Sequence, residues 1–193
     1  MPARRSPHWG GRWLDACAGA GGKTLQLARL LGPAGRVDAF DVRAAALAEL
    51  RHRARRGGFT TVHCLPQLPR TGDYDGVLVD APCSGSGTWR RAPHLKWCTA
   101  DDDIAAQTRR QQELLARFSQ QLRPGGMLIY ATCSLSRQEN QEVARAFLAA
   151  HPAFGPVAPA RAFDGVASEP GLTFLPARHN TDGFYVATFR RAR

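Results

Sequence analysis

The chain has 193 residues, enough for one domain with a full core. Its 44% hydrophobic content argues against a largely disordered chain, and no apolar run reaches membrane-spanning length. The formal charge of +10 favours a polyanionic partner, most simply nucleic acid, although Lys occurs only at Lys23 and Lys96, so an arginine-rich compositional bias inflates the count.

Residues 1–11 read as a basic lead-in without the apolar stretch of a secretory signal. Gly11 to Ala16 reads as a short buried strand and Gly22 to Leu31 as a helix, ended by Gly32-Pro33. Between them lies Asp15-Ala-Cys-Ala-Gly-Ala-Gly-Gly-Lys-Thr24. A glycine-rich turn between strand and helix lets backbone approach a ligand and aims free N–H groups at it. Arg36 to Asp41 reads as a second strand ending in a carboxylate, where a doubly wound sheet holds ribose hydroxyls. Ala44 to Arg56 is a second helix stopped by Gly57-Gly58, Thr60 to Leu65 a third strand, and Gly76 to Asp80 a fourth, apolar enough to be buried on both faces.

A long helix is predicted over 101–122, with Thr99 and Asp102 spaced as a capping box and Leu114, Leu115, Phe118 and Leu122 on its apolar face. Pro124-Gly125-Gly126 stops it, and Met127 to Thr132 is the fifth strand. Ser136 and Glu139 form a second capping-box pattern, opening a helix with Val143, Phe147 and Ala150 on one side. The stretch from His151 to Ser168 reads as a surface loop, with a strand as the second reading. Asp182 to Arg190 reads as a closing strand, antiparallel to the rest. The alternation implies an α/β, Rossmann-like, doubly wound and mostly parallel sheet with helices on both faces.

Five cysteines, Cys17, Cys64, Cys83, Cys98 and Cys133, show no C-x-x-C spacing, which argues against a zinc site. Their odd number in a chain without a signal peptide points to reduced thiols in the cytoplasm. Two of them follow predicted strands, in Asp80-Ala-Pro-Cys-Ser-Gly-Ser-Gly87 and Ala131-Thr-Cys-Ser-Leu135. Taken singly, each is more often a packing residue. As a pair at adjacent strand ends, opposite a glycine-rich turn, Cys83 and Cys133 favour chemistry.

With these motifs in order, the chain resembles the Sun/Nol/Nop family of RNA (cytosine-5)-methyltransferases, whose members carry D-x-C-A-A-P-G-G-K-T, then D-A-P-C-S-G, then T-C-S. The resemblance extends to Arg90-Arg-Ala-Pro-His-Leu-Lys-Trp97, Glu139-Asn140 and Thr181-Asp-Gly-Phe-Tyr185, and makes residues 12–193 a class I methyltransferase catalytic domain. It implies methyl transfer from S-adenosyl-L-methionine to C5 of cytosine in RNA, ribosomal rather than transfer RNA. It implies that Cys133 attacks C6, that Cys83 assists release, and that Asp80 hydrogen-bonds the base edge. Lys23 is implied to position either the base or the cofactor carboxylate. The backbone of Cys17, Ala18, Gly19, Ala20, Gly21, Gly22 and Lys23 is implied to cradle the cofactor, with Asp80 beside it and Asp41 on its ribose. The cytosine must be single-stranded or flipped out to present C6 to a buried thiol. Arg90, Arg91, Lys96 and Trp97 are candidates for phosphate binding or base stacking; Trp97 packing on the long helix is the plainer alternative.

Two departures stand out. The segment from Val62 to Gln67 lacks the family's adenine-contacting acid, leaving His63 or Gln67 to compensate, and Ala20 replaces the proline of the turn. The first strand falls near residue 11, whereas family members carry an amino-terminal extension that binds RNA. The expectation is therefore a catalytic core served by a separate RNA-binding domain or subunit. The competing reading is a non-catalytic RNA-binding or assembly module with a decayed core. A DNA enzyme is disfavoured because related DNA chemistry draws its nucleophile from the P-C position.

Overall fold

The computed structural model describes residues 10–70, 72–158 and 164–193. The first nine residues of the expected lead-in lie outside this set, and Gly11 already opens the first strand. Strands β1 (Gly11–Asp15), β2 (Gly35–Ala39), β3 (Val62–Cys64), β4 (Tyr74–Asp80) and β5 (Leu122–Thr132) pair in parallel, and β9 (Phe184–Arg191) joins β5 antiparallel. The sheet order is β3-β2-β1-β4-β5-β9-β8-β7, where β7 is Val166–Ser168 and β8 is Gly171–Phe174; β6 (Phe154–Pro156) also pairs with β9. This is the expected mixed sheet with an antiparallel closing region.

Alternation along β1 sends Trp13 and Leu14 to opposite faces. Trp13 packs with Ala28 and Leu31 of α1 (Gly22–Leu31) and with Val37. Leu47 and Leu50 of α2 (Ala44–Arg56) pack with Ala18 and Ala39. Leu14 belongs to the larger cluster with Val77, Val79, Leu128 and Tyr130, covered by Leu115 and Phe118 of α4 (Asp101–Ser119) and by Val143 and Phe147 of α5 (Val143–Ala150). Fully buried Val77 and Val79 explain why β4 reads as nearly continuous apolar sequence. The described residues also hold two one-turn helices, α3 (Leu95–Cys98) and α6 (Pro176–His179), and a 3-10 turn at Ser86–Thr88. No helix among the described residues is long and apolar enough to cross a membrane.

Four expectations are corrected. The long helix stops at Ser119, and Leu122 is buried in β5 opposite Tyr74; Pro124-Gly125-Gly126 lies inside the irregular start of that strand rather than after a helix. The N-cap of α4 is Ala100, whose N–H donates to Asp103, while the Thr99 hydroxyl turns back to the Leu95 carbonyl. Glu139 caps nothing: residues Gln138–Glu142 form a π-turn ahead of α5, and the Glu139 side chain points into the protein. Within 151–168, β6 and β7 are strands of three residues each, too short to show a period; 159–163 lie outside the described residues.

Candidate active site

The carboxyl ends of β1, β4 and β5 converge where the strand order reverses, the crevice in which a doubly wound sheet binds its ligand. A cavity of about 820 Å³ opens there. Cys17, Ala18, Gly19, Ala20, Gly22, Lys23, Asp41 and Asp80, all expected at a cofactor site, line it. Gly21 does not: it sits behind the turn as the N-cap of α1 with φ +89°, and an added Cβ there would lie 2.1 Å from Leu50 Cδ1. Gly21 therefore shapes the turn by left-handed backbone and close packing on α2. The far wall is Phe40, Val42, Leu114, Arg117 and Phe118. Neither His63 nor Gln67 lines the cavity.

Asp41 is buried beside the turn. Its Oδ2 accepts from the Gly19 N–H at 2.8 Å and from Arg43 Nη2 at 3.0 Å; its Oδ1 accepts from the Arg43 N–H and Nε. Burial would raise its pKa, but these donors outweigh burial and hold the carboxyl below its ordinary value. Asp15, at the end of β1, accepts from the Thr24 hydroxyl at 2.7 Å, and its Oδ1 has no hydrogen-bond partner among the described residues. Full burial pushes its pKa up to about 7. Burial, with Asp15, Asp41 and Asp80 nearby, pushes the Cys17 thiol up to about 12, so this cysteine is a neutral wall of the cavity.

At the opposite end, Lys23 Nζ reaches Asp80 Oδ2 at 2.7 Å and lies 5.6 Å from the Phe184 ring centre. Cys83 and Cys133, fifty residues apart, stand with their sulfurs 3.4 Å apart. The hydrogen bond from Cys83 and the nearby Lys23 charge lower the Cys133 pKa to about 7, against burial and Asp80. The same hydrogen bond and burial push Cys83 far up. The contact thus favours the proton on Cys83 and the thiolate on Cys133.

Sequence reasoning missed the scaffold beneath the thiols. Buried Glu139 accepts hydrogen bonds from Ser84, Ser134 and Gln111, and Asn140 accepts from Thr132 and donates to the Ser134 carbonyl. The adjacent Glu139-Asn140 pair was a visible signal, but its spacing from Ser136 gave it a capping role. Arg90 and Arg91 share Asp182, fixing the turn that carries them against the segment just before β9. Trp97 is 84% exposed, so it does not pack on α4.

A family model described as 16S rRNA methyltransferase RsmB/F matches residues 5–190. The ribosomal RNA small subunit methyltransferase B of Vibrio cholerae is 38% identical, aligned over 96% of this chain and 43% of its own length. The probable ribosomal RNA small subunit methyltransferase B of Bacillus subtilis is 34% identical, over 92% and 42%. The crystal structure of NSun6 from Pyrococcus horikoshii with SFG superposes with a TM-score of 0.83 at 27% identity, covering 95% of this chain and 48% of that one. The chain therefore spans less than half the length of the curated relatives it matches here.

Proposed function

The chain belongs to the 16S rRNA methyltransferase RsmB/F family, and from that premise we propose that it transfers a methyl group from S-adenosylmethionine to C5 of a cytosine in ribosomal RNA, through an adduct between Cys133 and C6. The observation that carries this reading is the thiol pair at 3.4 Å, with Cys133 near the Lys23–Asp80 pair that lines the glycine-walled cavity.

The residues present fit the cofactor. A cavity of about 820 Å³ has the size of a small-molecule site, and its glycine turn brings backbone to the wall. Phe40, Val42, Leu114 and Phe118 offer apolar surface for a purine, and Asp41 stands ready as an anion. Arg43 holds the acceptor sites that ribose hydroxyls would take, and it is exposed enough to yield them. When bound, S-adenosylmethionine supplies an electrophilic methyl group.

Cys133, ionised near neutral pH, supplies the nucleophile. Its addition to C6 gives C5 the electron density that cytosine itself lacks. Asp80, fixed by Lys23, faces the base edge and orients it; the pairing of Lys23 with Asp80 favours the base over the cofactor carboxylate as the group Lys23 serves. After methyl transfer and loss of the C5 proton, the C6–S bond breaks and its electron pair returns to Cys133. Cys83 then stabilises the departing thiolate by restoring the S–H···S hydrogen bond. The reduced thiols this requires suit the cytoplasm.

The test is a pair of substitutions assayed with RNA and cofactor. Cys133→Ala should abolish methylation and trap nothing. Cys83→Ala should accumulate a denaturant-resistant protein–RNA adduct. An adduct in Cys133→Ala and none in Cys83→Ala would reverse the two roles; methylation surviving in Cys133→Ala would remove the covalent mechanism.

A further inference from the structure

The two thiols sit on different loops, one after β4 and one after β5. Backbone joins these loops by the Gly87 N–H to the Cys133 carbonyl. Side chains join them directly, Ser84 Oγ lying 3.2 Å from Ser134 Oγ and Ser86 Oγ meeting Ser134 Oγ and the Leu135 N–H, and through one buried carboxylate, Glu139. Its Oε1 accepts from the Ser84 N–H at 2.8 Å and from Gln111 Nε2 at 3.1 Å. Its Oε2 accepts from the Ser84 hydroxyl at 2.5 Å and the Ser134 hydroxyl at 2.6 Å. Four donors match the four acceptor sites of a carboxylate, and none of the four is a cation. Ser84 directly follows Cys83, and Ser134 directly follows Cys133.

The direction of hydrogen bonding follows from this arrangement. Both serine protons point to Glu139, which leaves Ser134 Oγ to accept from the Ser136 N–H at 3.0 Å and from Ser86 Oγ at 3.1 Å. Ser86 Oγ in turn accepts from the Leu135 N–H. One chain of donors therefore runs through both loops and ends on Glu139. The carboxylate is itself anchored: Gln111 belongs to α4 and also donates to the Pro82 carbonyl, and the Glu139 carbonyl accepts from the Tyr130 hydroxyl of β5.

We infer that Glu139 is a positioning residue of this site: by clamping Ser84 and Ser134 to one buried carboxylate, it sets the sulfurs of Cys83 and Cys133 in contact. The inference deepens the proposed reaction and rests on it for the use made of the thiol pair. A buried network serves this purpose because it has one low-energy arrangement and loses it when any member is removed.

The test reads thiolate formation in the full chain without RNA. Iodoacetamide alkylation is followed across pH, with each cysteine quantified by mass spectrometry. The groups facing Cys133 are Cys83, Lys23 and Asp80, and the charge of Glu139 acts on Cys83; Lys23 and Asp80 are left untouched. Glu139→Gln keeps the volume but replaces one acceptor oxygen by an NH2 group, which faces donors. A thermal melt and calorimetric binding of S-adenosylhomocysteine serve as controls for folding. With both retained, alkylation of Cys133 at neutral pH should fall about tenfold, and its preference over Cys83 should shrink. A folded Glu139→Gln chain with an unchanged pH profile and unchanged preference overturns the inference.

If Glu139→Gln does not fold, Ser84→Ala removes one hydroxyl donor from a half-buried position. It should lower Cys133 alkylation roughly two- to threefold, and no change there overturns the inference equally. Failure of the proposed reaction is a separate result. A chain whose Cys133 reactivity depends on Glu139, but whose Cys83→Ala variant traps no RNA, keeps the clamp and loses the reaction.

Discussion

At the scale of single residues, burial rather than residue type decides the chemistry of this site. Asp15 ends β1 and Asp41 lies just past the end of β2, both beside the glycine turn, yet their pKa values move in opposite directions. Asp41 gathers donors from Gly19 and Arg43, including a cation, whereas full burial outweighs the neutral donors of Asp15. The Asp15 shift has a defined sign. Its folded pKa of about 7 lies above the ordinary 3.8, so the folded state binds the proton more tightly and Asp15 weakens stability as pH rises through that window. Asp15→Asn should relieve this. Urea denaturation from about pH 4 to about pH 8 should show the variant gaining on the unaltered chain as pH rises, then levelling above about 7. A difference that does not change with pH would mean that Asp15 ionises normally. Cys133 shows the same principle with a partner: its fall to about 7 comes from the thiol of Cys83, which no reading of its own neighbours in sequence could supply.

At the scale of elements, turns and strand ends place the reactive groups, and glycine decides where backbone comes close. An added Cβ at Gly87 would lie 2.1 Å from the Gly183 carbonyl oxygen and 2.8 Å from that of Cys133. Gly87→Ala should push the β4 loop from the β5 loop, costing about 1–3 kcal/mol in denaturation and abolishing the preferential alkylation of Cys133. Gly21→Ala is expected to act differently: the strained φ and the overlap with Leu50 should cost a similar amount, about 1–3 kcal/mol, and weaken cofactor binding in calorimetry while leaving the thiol pair intact. The first two helices were legible to the residue, Gly22–Leu31 and Ala44–Arg56, because glycine stops follow a clear apolar face. The end of α4 was not. Leu122 continues its apolar spacing, and only pairing with Tyr74 assigns that residue to a strand.

At the scale of the molecule, the charge of +10 is a prediction about salt. Single-stranded RNA should bind weakly and with little sequence preference, and affinity should fall steeply as salt rises. With about four phosphate contacts, the slope of log K against log salt should be about −3, measurable by fluorescence anisotropy. A slope near zero would remove the charge from the RNA argument. Adding a polypeptide equivalent to the unmatched portion of the relatives should raise selectivity for one RNA; efficient single-site methylation of naked RNA by this chain alone would make that portion dispensable.

What the sequence determined by itself is the set of strand-end motifs and their order: the glycine turn, Asp41, Asp80 with Cys83, and Cys133. These are local, because a turn or a strand end is specified by a few adjacent residues. What only the tertiary structure decided are the relations across long separations. Cys83 and Cys133 are in contact because β4 and β5 are neighbours in the sheet. Lys23 serves Asp80 because β1 lies beside β4. Glu139 left its apparent capping role because a buried carboxylate is most stable where four donors converge, and those donors come from three separate segments that meet only in the folded chain.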